Sequence, residues 1–141
     1  MAIEAQSVTI TLKTLQEQAG EVEEYELETN GELFQKGTTL YLRYEEKLEE
    51  RSVKTTFKIK AGALLLTRRE RDLSSNLELR PDQVTTTRYQ TQYGALYLEV
   101  NCLEYTFERL GKQSGQVKAT YELSNGQELL GKYKLRLQFK A

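Results

Sequence analysis

Arg68, Arg69 and Arg71 form the densest group of side chains with evident capacity for chemistry, packed into Thr67-Arg68-Arg69-Glu70-Arg71 after an apolar run. A guanidinium is a planar fork of donors that matches the oxygens of a carboxylate or phosphate. In an extended chain successive side chains alternate sides. Arg69 and Arg71 therefore face one way, while Arg68, in phase with Leu64 and Leu66, faces the other. A three-arginine clamp is not expected: Arg68 is the inward candidate, and the rest reads as surface loop. The acidic pairs Glu45-Glu46 and Glu49-Glu50 divide in the same way, so neither makes an acid/base dyad. The stretch from Tyr44 to Arg51 reads as a solvated hairpin loop. Lys132, Lys134, Arg136 and Lys140 alternate with apolar residues, as do Lys54, Lys58 and Lys60. These two basic faces are expected on the outer surface, with Glu24, Glu26 and Glu28 among their cross-strand partners.

The chain has no histidine, which removes the commonest general base and metal ligand at neutral pH. Ser-His-Asp and Cys-His nucleophiles, His-ligated zinc and His-ligated haem are all excluded. Carboxylate, lysine or tyrosine chemistry remains, but no constellation for it stands out. No loop has calcium-binding spacing. The expectation is a non-enzymatic protein with no metal and no cofactor. The single Cys102 rules out an internal disulfide and reads as a small buried hydrophobe. Tyr89, Tyr93, Tyr97 and Tyr105 could line a cavity or pack a core and its rim.

With 20 basic and 21 acidic residues the net charge is −1, so the long-range basic field that draws a protein to nucleic acid is absent and no nucleic-acid partner is expected. The segment Met1-Ala2-Ile3-Glu4-Ala5-Gln6 has no basic or apolar leader character, and no apolar run approaches the ~18 residues of a membrane helix. No membrane span and a cytoplasmic location are the corresponding expectations.

The elements that must position these residues are strands. Apolar residues recur at every second position in Val8-Ile10-Leu12, Tyr25-Leu27-Thr29, Leu40-Leu42-Tyr44, Val53-Thr55-Phe57-Ile59, Leu64-Leu66 and Leu77-Leu79. The alternation continues through Val84-Thr86, Leu96-Leu98-Val100, Val117-Ala119-Tyr121-Leu123 and Tyr133-Leu135-Leu137-Phe139, the period of half-buried strands. Gly20, Asn30-Gly31, Gly37, Gly62, Gly94, Gly111, Gly115 and Asn125-Gly126 fall among these runs and read as turns, with Ser124-Asn125-Gly126 predicted as a type I′ hairpin. The phase changes between Cys102 and Leu103, which predicts a β-bulge near Asn101–Glu104. One all-β domain over residues 1–141 is expected: a small closed or nearly closed antiparallel up-and-down barrel of roughly 8–10 strands.

The chain resembles the YwiB-like family of uncharacterised bacterial β-barrel proteins over nearly its whole length. The resemblance rests on Asn30-Gly31 leading to Leu40-Tyr41-Leu42 and Tyr44-Glu45-Glu46, on Leu66-Thr67-Arg68, and on Tyr89-Gln90-Thr91-Gln92-Tyr93-Gly94 before Leu96-Tyr97-Leu98. It departs from the family at Arg68-Arg69-Glu70, where Arg-x-Gly is usual, and at Gln92, where proline is usual. The resemblance implies a calycin- or lipocalin-like barrel and leaves activity open. Within it, Tyr44, Glu46, Arg68, Tyr89 and Thr91 are the polar positions that would line a pocket, with a buried Arg68 paired to Glu46 as one arrangement. Two functions follow as expectations. In one the barrel holds a small apolar or amphipathic molecule, or an anionic one, with Arg68 or the tyrosines meeting its polar end. In the other its core is filled and it acts through its surface, as a scaffold or homodimer.

Overall fold

In the computed structural model, which describes residues 4–71, 73–91 and 94–141 but not the side chains of residues 89–91, the alternating runs all become strands. They are β1 (Gln6–Gln18), β2 (Glu21–Lys36), β3 (Thr39–Leu48), β4 (Arg51–Ile59), β5 (Leu64–Glu70), β6 (Leu73–Leu79), β7 (Thr85–Thr91), β8 (Gly94–Gly111), β9 (Ser114–Ser124) and β10 (Leu129–Lys140). Each strand pairs antiparallel with its sequence neighbours, and β1 pairs with β10, closing a ten-stranded barrel. Closure leaves no free sheet edge.

Period two decides which side chains fill the lumen. Across β3–β6 the register stacks Leu40, Ile59, Leu64 and Leu79 in one row and Leu42, Phe57, Leu66 and Leu77 in the next. From the opposite wall come Ile10, Leu12, Val100, Val117, Leu137 and Phe139, all buried. One end of the barrel is filled and tied across: the Tyr105 hydroxyl on β8 donates to the Lys60 carbonyl after β4 at 2.7 Å. Burying a large apolar side chain contributes about 1.5–3 kcal/mol, so this end carries most of the packing energy.

The predicted bulge is present as a register shift between Cys102 and Glu104, and it lets both Cys102 and Tyr105 point inward. Several expectations are corrected. Asn30-Gly31 lies inside β2, not in a turn. A Cβ on Gly31 would sit 2.4 Å from Ile10 Cδ1 and 2.5 Å from the Arg43 carbonyl oxygen, so glycine is there because β2 presses against β1 and β3. Gly111 closes β8 and Gly115 lies within β9. The segment from Tyr44 to Arg51 is mostly strand, leaving only Glu49-Glu50 between β3 and β4. The β9–β10 connection is a four-residue loop and not a two-residue type I′ turn. Asn125 Oδ1 accepts from the amides of Gln127 and Glu128 at 3.0 and 2.8 Å, with Gly126 at φ +94°, an Asx-type arrangement. On β7 the inward positions are Thr85 and Thr87, while Val84 is exposed, one residue out of phase with the expectation.

Two seams in the wall are thin. Among the described residues β6 and β7 share only the pairs Ser75–Tyr89 and Asn76–Arg88. The rest is closed by side chains: Thr85 donates to the Glu78 carbonyl at 2.6 Å and Thr87 to the Asn76 carbonyl. β2 and β3 pair only from Lys36–Thr39 to Glu32–Arg43, whereas β2 pairs with β1 back to Glu21. Beyond Arg43 the two strands separate towards the end of the barrel opposite Tyr105.

Candidate functional site

Above the two apolar rows the inner face of β3–β6 changes character. The next row is Tyr44, Thr55, Arg68 and Ser75, directly paired across four adjacent strands and in line with the Tyr89 backbone on β7. Strands lie about 4.8 Å apart, so these side chains form one continuous polar belt. Every member can donate a hydrogen bond, and none is a carboxylate.

Burial grades along the belt. Tyr44 is buried, and burial is the main force pushing its phenol up to about 12. Tyr25 and Glu46 add to that rise, while Thr55 and the positive charge of Arg68 oppose it. The phenol is therefore a protonated donor at any physiological pH. Thr55 is 2% exposed, and its Oγ1 has no hydrogen-bond partner among the described residues. Its proximity to Tyr44 favours the phenolate and so offsets part of the rise caused by burial. Leaving a buried hydroxyl unmatched costs about 1–3 kcal/mol. Ser75 is half-buried and Arg68 exposed, where the belt meets solvent.

One step nearer the mouth the inward positions are Glu46 and Glu70, each engaged by its own donor. Tyr25, reaching from β2 across the gap to β3, donates to Glu46 at 3.1 Å. Arg51 pairs with Glu70 at 3.2 Å. Burial, then the Glu46 charge and hydrogen bond, raise the Tyr25 phenol, and Arg68 lowers it. The Arg68 charge is thus felt at both phenols. The rim is apolar, with Leu73 and Leu96 in inward phase and 39% and 53% exposed. Outside the wall, where β2 leaves β3, a groove of about 780 Å³ is lined by Gly31, Arg43, Lys54 and Arg69 and reaches Tyr44 and Thr55.

The structure therefore brings Tyr44, Glu46 and Arg68 to one end of the lumen. It corrects their expected pairing: Arg68 is exposed and makes no ion pair among the described residues, and Glu46 is held by Tyr25 instead. Tyr89 and Thr91 have backbones on β7 beside this end, but their side chains lie outside the described residues, as does Tyr93. Tyr97 is 62% exposed, on the outer face, and Tyr105 is part of the filled end. Cys102 is buried, and burial raises its thiol. Tyr25 and Thr55 were missed as site residues. Thr55 carried a signal, being a hydroxyl in an otherwise apolar inward run, whereas Tyr25 needed the β2–β3 geometry.

The two basic faces lie on the outer surface as expected, but β2 neighbours β1 and β3 and not β10 or β4, so Glu24, Glu26 and Glu28 are not their cross-strand partners; Glu24 instead pairs with Lys13 of β1 at 2.9 Å. Among the described residues no group of three His, Cys, Asp or Glu side chains is placed to hold a metal ion.

Comparison with known proteins agrees with this architecture. A family model described as "Domain of unknown function (DUF1934)" matches residues 10–137. The uncharacterised beta-barrel protein YwiB of Bacillus subtilis is 26% identical over 121 residues, covering 86% of this chain and 84% of that protein. The crystal structure of the ywiB protein from Bacillus subtilis matches with a TM-score of 0.85 at 22% identity, over 99% of this chain and 95% of that one. At that identity the likeness concerns the fold.

Proposed function

The chain belongs to the DUF1934 family, a domain of unknown function, and from that premise we propose that this barrel is a non-enzymatic binding module holding a small molecule in the polar end of its lumen. The observation that carries this reading is the Thr55 hydroxyl, almost fully buried in a row of inward donors and without a hydrogen-bond partner among the described residues. A buried polar group without a partner is uncommon in a folded protein and calls for an explanation. A ligand oxygen seated on the belt would supply the missing partner. An open rim beside a filled floor gives a shallow, one-ended site, in keeping with a calycin-like use of a small barrel.

The competing reading is a scaffold or homodimeric barrel acting through its surface. It draws on the filled rows from Leu40 to Leu79, which leave the deep half of the lumen no room for a guest.

Native mass spectrometry of protein purified from its own host, compared under gentle and denaturing conditions, tests the choice. The binding reading expects a reproducible added mass per chain that is lost on denaturation and is absent from the Thr55→Val protein. A bare chain or bare dimer from host material, with no added mass after incubation with host small-molecule extract, overturns it in favour of the surface reading.

A further inference from the structure

The composition of the belt says what kind of molecule it suits. Tyr44, Thr55, Arg68 and Ser75 offer hydrogen-bond donors from four adjacent strands, and Arg68 adds a full positive charge with no carboxylate at ion-pair distance among the described residues. The two nearby inward carboxylates are already engaged, Glu46 by Tyr25 and Glu70 by Arg51. They sit one residue pair closer to the rim, leaving the belt itself free of acceptor-only groups. Leu73 lies opposite Glu70 in that outer row and Leu96 opposite Tyr89 in line with the belt, both exposed and in inward phase.

Resting on the binding reading above, we infer that the ligand is an amphipathic oxyanion: a carboxylate or phosphate head on the Tyr44–Thr55–Arg68–Ser75 belt, with an apolar body against the Leu73 and Leu96 rim. A guanidinium fork flanked by hydroxyls suits two oxygens of one head. A neutral head would forgo the charge-assisted hydrogen bonds that the Arg68 fork offers. An acidic rim held by its own donors tolerates a single anion seated below it.

Isothermal titration with decanoate, decyl phosphate, decan-1-ol and inorganic phosphate tests this, because the four probes separate head from body. Decanoate and decyl phosphate are expected to bind at least about tenfold more tightly than decan-1-ol, in line with the strength of hydrogen bonds to charged groups. Inorganic phosphate is expected to bind more weakly than decyl phosphate. Arg68→Gln should abolish the advantage of decanoate over decan-1-ol. Arg68→Lys, which keeps the charge and loses the fork, should fall between. Arg68 is exposed, so these variants keep the fold, which an unchanged thermal denaturation midpoint of the ligand-free protein reports.

Equal affinity for decanoate and decan-1-ol, or no effect of Arg68→Gln, overturns the oxyanion head while leaving the binding reading standing. Inorganic phosphate binding as tightly as decyl phosphate overturns the apolar body. Binding of none of the four overturns the inference. The added mass on host-purified protein then decides whether the binding reading falls with it.

Discussion

Thr55 is a residue whose fold and function pull in opposite directions. Replacing it by valine keeps the shape and removes an unmatched buried hydroxyl, so the folded state should be unchanged or stabilised by up to about 1 kcal/mol. Urea unfolding without ligand reads this directly, and a clear loss of stability would mean that the hydroxyl is satisfied after all. Tyr44 gives a second prediction. Its phenol ionises near pH 10 in an unfolded chain and at about 12 in the barrel, so stability is full below pH 10 and declines as pH rises towards 12. Two pH units correspond to about 2–3 kcal/mol. Tyr44→Phe should flatten the fall in midpoint over that window, although the raised Tyr105 and Tyr133 phenols will leave part of the slope. Residue identity made Arg68 and Tyr44 legible as inward candidates, because period two alone fixes the side of a strand. It could not reveal that Glu46 prefers Tyr25, since that bond spans the gap between strands and depends on how far they separate.

At the scale of elements, the seams set the behaviour. Gly31→Ala would press a methyl group against the Arg43 carbonyl, which is backbone and cannot turn aside. A destabilisation of about 1–3 kcal/mol is expected, measurable as a lowered denaturation midpoint. The sequence suggested a turn at Asn30-Gly31 because that pair usually marks one. What governs it instead is close approach within a long strand, and no local pattern distinguishes the two. The bulge after Cys102 was legible because it shifts the phase of side chains along one strand. At the β6–β7 seam, Thr87→Val removes the hydroxyl that serves the Asn76 carbonyl and should cost about 1–3 kcal/mol. Amide exchange along β6 should quicken more than along β1, whose ladder with β2 runs unbroken from Gln6 to Gln18. Equal protection of β6 in the variant and parent would show that the two ladder pairs suffice.

The whole molecule joins a filled end to a polar one, and the division follows the order of side chains along four strands. Hydrophobic alternation made the barrel legible, because ten runs of period two with short connections leave few other ways to bury their inner faces. It did not distinguish an open lumen from a filled one, which depends on how rows from opposite walls interdigitate. The filled half explains how a chain with no disulfide can leave a donor belt incompletely satisfied at its other end and still fold.

The pairing of β1 with β10 also has a consequence in time. During synthesis β1 leaves the ribosome first, and its second neighbour follows on the order of a hundred residues later. At about 5–20 residues per second, β1 spends roughly ten seconds with one edge unpaired. Its outward residues there include Lys13 and Glu17, charges that discourage a neighbouring nascent chain from taking the place reserved for β10.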